Sequence, residues 1–201
     1  DNINLMKRLL VYLLLVLSFG FIFNVKSDDI RDFEIEGMSI GDSLLDYFNE
    51  KEIKKSLLNK LAYPASDKFS QIDPFKEFIN YEHLSINIKK DDKKYIIYQI
   101  KGSIFYNNKI KKCFNKKEKI INEISAILES FKKEEYTSDF QKNAGKSKAY
   151  ITEFILKDGS IRVWCTEWDK KHKTTKNWED SLNVDVSTNE YLNWLDKEAY
   201  K

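Results

Sequence analysis

Between Lys109 and Phe131 the chain carries its longest amphipathic pattern, and this stretch limits the folds open to everything around it. Ile110, Cys113, Phe114, Ile120, Ile121, Ile124, Ile127, Leu128 and Phe131 recur mostly at steps of three and four, which places them on one stripe of an α-helix. Lys111, Lys112, Lys116, Lys119, Glu123 and Glu129 occupy much of the remaining surface, and neither Gly nor Pro interrupts the run. Asn107 or Asn108 can cap its start by offering a side-chain oxygen to an otherwise unpaired backbone N–H. A stripe this broad needs a wide apolar surface against it, and flanking strands can supply one. At about 1.5–3 kcal/mol per buried large side chain, the helix contributes on the order of 15–25 kcal/mol before ordering entropy is subtracted.

The flanking segments divide by period. Phe33-Glu34-Ile35-Glu36 alternates like a short edge strand. Ser39-Ile40-Gly41-Asp42 matches a capping box, and Ile40, Leu44, Leu45 and Phe48 follow on one helical face. Asn49-Glu50-Lys51-Glu52 repeats the capping signal ahead of Ile53, Leu57, Leu58 and Leu61, which predicts two short helices in series. Residues 62–81 hold both prolines, Pro64 and Pro74, and read as an ordered connection of low regularity. From His83 the period becomes two: Leu84, Ile86 and Ile88 form one strand, and Lys90–Lys93 makes a turn. A long strand follows over Tyr95–Tyr106, with Ile96, Tyr98, Ile100 and Ile104 on one face and Gly102 marking a bulge or a close approach.

Beyond the long helix, Glu134–Lys148 is polar, contains Gly145 and reads as a mobile loop. Tyr150–Leu156 and Ile161–Trp168 are strands joined by Lys157-Asp158-Gly159-Ser160, where Asp-Gly is a strong hairpin signal. Asp169–Asn177 reads as a charged loop, and Leu182, Val184 and Val186 as a last strand. Ser187-Thr188-Asn189-Glu190 caps a closing helix with Tyr191, Leu192, Leu195 and Ala199 inward. The order argues an α+β domain over residues 28–201. The expected core is an antiparallel sheet of about five strands under the long helix, with a crossover after Tyr106 that permits one parallel pair.

Residues 1–27 read as an address. Met6-Lys7-Arg8 precedes the apolar run Leu9–Phe23, and Val25-Lys26-Ser27 suits cleavage after Ser27. On this reading Asp1–Leu5 precede the true start. The rival is an uncleaved anchor, but the run is short for a span of roughly 20 residues. No Cys follows the run, which argues against a lipid-modified N-terminus. Lys7, Arg8 and Lys26 against Asp1 account for the whole formal charge of +2, so the mature part is neutral and carries no basic stripe for nucleic acid. The expected location is periplasmic or secreted, with contact to the membrane only through the N-terminal segment if it is retained.

Cys113 falls on the helical stripe, and Cys165 shares a strand face with Ile161 and Val163. Two inward cysteines in an exported chain predict a disulfide fastening helix to sheet, contributing roughly 4 kcal/mol through loop closure. Neither has the basic surroundings of a reactive thiolate. His83 and His172 are the two histidines; His172 with Asp169 and Glu167 does not match a recognised metal-ligand spacing, and no metal or cofactor is expected. The carboxylates Glu167, Asp169, Glu179 and Asp180 fit acid–base chemistry no better than a solvated loop. Trp164, Trp168, Trp178 and Trp194 cluster late in the chain; exposed, they mark a ligand or partner surface, and otherwise they pack against the closing helix.

Two resemblances attach to these residues. Ile40-Gly41-Asp42-Ser43-Leu44 resembles the first block of the GDSL (SGNH) esterases and lipases, and Asp169-Lys170-Lys171-His172 resembles their late Asp-x-x-His block. That resemblance implies Ser43 as nucleophile, His172 as base and Asp169 as its orienting acid. Against it, Asp32–Met38 is polar where that family has a buried strand before its serine, the Gly-x-Asn-Asp block that supplies an oxyanion donor is missing, the hairpins conflict with the family's parallel sheet, and Ser39–Asp42 already has a capping role. The second resemblance rests on Phe33–Phe48 (FEIEGMSIGDSLLDYF), the helix carrying Cys113 and the Trp164-Cys165 strand. It is to a group of uncharacterised exported proteins of AT-rich marine alphaproteobacteria, which implies export and no mechanism. The expected function is therefore non-catalytic binding of a protein or small-molecule ligand. The esterase reading and a membrane-tethered accessory protein of the cell envelope are the alternatives.

Overall fold

The structure, a computed structural model, describes residues 27–58, 63, 66–74, 76–140 and 145–200. The expected address segment therefore lies outside the described residues except for Ser27. That residue is already tied to the domain: its N–H donates to Ile127 O at 3.0 Å, and its carbonyl accepts from Glu129 N–H.

Among the described residues the strands are β1 (Phe69–Ile72), β2 (His83–Lys89), β3 (Ile97–Phe105), β4 (Lys132–Asp139), β5 (Lys148–Ile155), β6 (Gly159–Glu167) and β7 (Ser181–Thr188). The helices are α1 (Glu50–Leu58), α2 (Ile110–Ile127), α3 (Lys170–Lys176) and α4 (Asn189–Lys197). The strands form one sheet in the order β1-β2-β3-β7-β6-β5-β4, and every neighbouring pair is antiparallel. The fold is α+β as expected, but the sheet of the described residues has seven strands rather than about five, and none of its strands pair in parallel. The chain leaves β3 through α2 to reach the far edge of the sheet, so the crossover joins strands that are not neighbours.

The inner face of the sheet makes the core. Ile72, Ile86, Ile100, Val186, Ile161 and Phe154 lie in one cross-strand row, and all six are buried. α2 covers this face through Cys113, Ile121 and Ile124, with Leu128 just past its end. Its apolar stripe is narrower than the pattern predicts. The helix stops at Ile127, leaving that side chain exposed, while Phe131 sits beyond the helix with its ring 5.5 Å from Phe154. Lys117 takes a buried place on the stripe, and burial lowers its ammonium below the ordinary range. Neither Asn107 nor Asn108 caps the helix: both have positive φ, and the N-cap Lys109 makes no side-chain bond.

The rest of the inner face is covered by irregular chain. Phe33–Glu36 is not a strand; Glu36 and Gly37 turn tightly with positive φ so that Ile35 bridges Met38. No helix forms over residues 39–48, because Gly41 has φ +92° and Ser43 is extended, leaving one 3-10 turn at Leu44–Asp46. Ile30, Ile35, Met38, Ile40 and Leu44 are nonetheless all buried. The second capping signal does start a helix: Asn49 and Glu52 exchange side-chain bonds with each other's N–H ahead of α1, which buries Ile53.

Further departures have local causes. β1 forms inside the segment expected to be irregular. β4 replaces the expected mobile loop: its eight residues pair fully with β5, although nearly all its side chains are exposed. A register shift where Ile88 meets Ile97 moves the inward phase of β3 onto Ile97 and Ile100, and sends Tyr98 to the opposite face against Phe69. Gly102 is a close approach, since a Cβ there would lie 2.5 Å from the Tyr81 ring. The charged loop after β6 contains α3, capped by Asp169, whose side chain accepts from Lys171 N–H.

On the outer face α4 packs Tyr191 and Trp194 onto Phe69, with ring centroids 5.3 and 4.9 Å away, and Ala199 closes this second cluster. Thr188 caps α4 by accepting from Tyr191 N–H. Among the described residues no helix is long and apolar enough to cross a membrane.

Candidate functional site

The three residues of the esterase-like pattern do not come together. Ser43 lies beside the start of β3: its backbone bridges Ile96, and its hydroxyl donates to Lys94 O at 2.7 Å and accepts from Leu45 N–H. Asp169 and His172 follow the end of β6, which pairs through Thr166 and Ser181 with Phe105 at the other end of β3. At about 3.3 Å per residue, roughly 25 Å of strand separates the two ends. Asp169 is occupied as a cap. The N–H groups of Lys171 and Lys146 hold its carboxyl below the ordinary range, and its oxygen is 4.0 Å from His172 Nδ1, beyond a hydrogen bond. Among the described residues no three His, Cys, Asp or Glu side chains group as a metal site requires.

Cys113 and Cys165 do meet. Their Cα atoms are 6.0 Å apart and their sulfurs at disulfide distance, with both side chains fully buried between α2 and β6. They fasten helix to sheet and offer no surface for chemistry.

All four tryptophans lie on the side of the outer face. Trp194 is buried under α4. Trp164 lies half-buried on β6, with the Arg162 guanidinium 5.9 Å from its ring. Trp168, just past β6, is 4.8 Å from Phe140 and 4.4 Å from Trp178, whose indole stacks on His172 at 5.2 Å. Asp180 fixes this aromatic wall. Its buried carboxylate accepts from Trp168 N–H at 3.0 Å and from Lys173 Nζ at 2.7 Å, tying α3 to the strand end. The acid–base role open to Asp180 in the sequence is thus replaced by an anchoring one.

The wall borders an open cleft of about 490 Å³ on the outer face. Its floor is a cross-strand row in which His83 of β2 pairs with Ser103 of β3, and Ser103 with Asn183 of β7. Ser103 Oγ donates to Asn183 Oδ1 at 2.8 Å, and Asn183 Nδ2 donates to Ser181 Oγ at 3.1 Å. Both hydroxyls are thereby oriented, and each keeps hydrogen-bonding capacity for a further partner. Phe105, 43 % exposed, and Trp178 also line the cleft, with Lys101 and Glu179 of opposite charge, and the Lys176 ammonium lies 4.6 Å from the centre of the Trp178 ring. Burial, reinforced by Lys101 and opposed by Asp73, sets the His83 imidazole below its ordinary range, which favours the neutral ring at pH 7.

Next to the cleft the outer face is closed by a buried polar network. Arg162 donates to Asp185 Oδ1 at 2.9 Å, Gln99 donates to the other carboxylate oxygen, and Asn87 donates to Gln99 at 2.7 Å. Tyr63 donates to Asn87 and meets the Tyr191 hydroxyl at 3.2 Å, so the network reaches α4. Asp185 raises the Arg162 guanidinium further above its ordinary range. These groups bind one another and hold the strands.

Of the cleft residues, the sequence pointed to Trp168, Trp178 and Glu179. It missed Ser103, Ser181 and Asn183, although the strict alternation Ser181-Leu182-Asn183-Val184-Asp185-Val186-Ser187 marks a strand with one apolar and one small polar face. Comparison with protein-family models found no match, and comparisons with curated proteins and with solved structures found none either.

Proposed function

We propose that this chain is an exported, non-catalytic binding domain whose ligand surface is the outer-face cleft between Phe105 and Trp178. The observation that carries the reading is the cleft itself: aromatic side chains line it beside a floor of oriented hydroxyl and amide groups, in which Ser103, the cross-strand neighbour of His83, donates its hydroxyl to Asn183. The size suits a small ligand or one segment of a larger one, since ligand pockets run from about 300 to 1,000 Å³. Export is supported by the basic and then apolar start of the chain, by the cysteine pair at disulfide distance, and by the resemblance to exported marine proteins. The separation of Ser43 from His172 by the length of the sheet counts against the esterase alternative.

The test is a ¹H–¹⁵N NMR titration of the purified protein with peptides, saccharides, nucleotides and lipid headgroups. Ligand-induced shifts are expected to cluster at Lys101, Ser103, Asn183 and the Trp178 indole N–H. Turnover of a p-nitrophenyl ester that disappears in Ser43→Ala would overturn the non-catalytic reading. Shifts confined to other surfaces would overturn the choice of site.

A further inference from the structure

We infer that the open side of β4 pairs with the β4 of a second copy of this chain, joining two sheets across a two-fold axis at Tyr136. β4 ends the strand order of the sheet, and among the described residues no strand pairs with its outer side. Phe140 N–H donates to Ser147 O at 3.4 Å in continuation of the β4–β5 register. The even-numbered residues of β4 therefore hydrogen-bond to β5, and Lys133, Glu135, Thr137 and Asp139 turn their N–H and C=O groups outward. Such a row is a template for another strand. Of the eight side chains of β4, all but Glu134 are exposed, so an incoming strand meets no covering element of its own chain among the described residues.

Charge commonly protects an edge strand by repelling whatever approaches it. Here the charges select a register instead. Two-fold antiparallel self-pairing sets one residue of the strand directly opposite its own copy. With Lys133, Glu134 or Glu135 on the axis, that charge faces itself, and with Thr137 there, Glu135 faces Asp139. An axis at Ser138 leaves most of the strand unpaired. With Tyr136 on the axis the strands overlap from Lys133 to Asp139, and no like charges stand directly opposite: Lys133 meets Asp139, Glu134 meets Ser138, and Glu135 meets Thr137. The outward residues then form the hydrogen-bonded pairs. Tyr136 falls at a non-hydrogen-bonded position, where opposing side chains come closest and an aromatic pair is favourable. Its ring is 41 % exposed, although its hydroxyl donates to Glu153 Oε2 at 3.0 Å. Within one copy Lys133 pairs with Glu135 and Asp139 lies 3.9 Å from Lys148; these are exposed contacts that cost little to share with a second strand.

The experiment follows mass by sedimentation equilibrium and backbone amides by hydrogen exchange, on the purified protein with its disulfide intact. It runs from about 10 μM to about 1 mM, the range expected of a small, polar interface. The mass should rise toward two chains, and the amides of Lys133, Glu135, Thr137 and Asp139 should gain protection as it does. Thr137→Pro removes an outward N–H and spares the bonds to β5, so it should abolish the dimer while the amides of Tyr136 and Ser138 stay protected. Lys133→Asp sets two carboxylates against each other at both ends of the pair and should weaken dimerisation about tenfold. Lys133→Asp combined with Asp139→Lys should restore it. A mass of one chain throughout overturns the inference, as does growth past two chains. A dimer that leaves the four outward amides unprotected, or one that the double variant fails to restore, places the interface elsewhere and overturns it too. Protection of those amides already in the monomer does the same, because another segment of the chain then covers the edge.

Discussion

Replacing Cys113 and Cys165 together by Ala opens a loop whose ends are 52 residues apart, and this separation sets the expected loss. The chain-entropy relation gives about −14 cal/mol/K for that loop, or about 4 kcal/mol at 25 °C. Unfolding entropy scales at about 2.1 cal/mol/K per residue, so for about 170 residues the midpoint falls by roughly 11 °C. Secondary structure should persist below the new midpoint, because Ile121, Ile124 and Leu128 still pack α2 onto the sheet. The denaturant slope should rise, since the unfolded chain freed of its crosslink exposes more surface. Both sulfurs are fully buried, so a mild reductant should act on the native protein only as fast as the domain opens. Circular dichroism during heating and in guanidinium measures midpoint and slope, and mass spectrometry of unreduced protein counts the thiols. A midpoint moved by less than about 2 °C would refute the loop-closure argument. Two free thiols in protein taken from an oxidising compartment would refute the pairing itself.

The other predictions concern parts of the fold that chemistry can isolate. Asp185→Ala leaves the partly buried Arg162 without its carboxylate and should cost about 2–3 kcal/mol in urea unfolding, most of it recovered in the double variant with Arg162→Met. Tyr47, donating to Asp42, and Tyr81, half-buried and desolvated beside Glu36, are each pushed up to about 12. Their stabilising effect is complete below the unfolded value near 10 and is lost as pH rises through about 12. Urea midpoints measured between pH 9 and 12 should therefore decline above about pH 10, while absorbance at 295 nm shows late tyrosine ionisation. Ser43→Ala removes the cap on Leu45 N–H and the bond to Lys94 O; a loss of about 1 kcal/mol is expected, with no change in any ester turnover.

What the sequence determined by itself is local and periodic. The stripe of α2, the hairpin of β5 and β6, the alternation of β7, the capping pair of α1, the hydroxyl cap of α4 and the inward set of both cysteines all follow from residues within a few positions of one another. Period and cap chemistry act over one or two turns of chain, so such features survive in any fold that gives them an apolar face. The strand β4 was illegible because Lys132-Lys133-Glu134-Glu135-Tyr136-Thr137-Ser138-Asp139 lies on a sheet edge with almost nothing to bury. Its strand character comes from backbone bonds to β5, which leave no mark on side-chain polarity. Residues 30–44 defeated the pattern from the other side: their apolar side chains are buried one at a time by turns with positive φ, without a period. Only tertiary structure decided the candidate site. Ser103 and Asn183 are 80 residues apart and meet because β7 enters between β3 and β6, while Ser43 and His172 are parted by the same sheet. Which strand lies beside which is settled by the whole core closing at once, and no short stretch of chain carries that information.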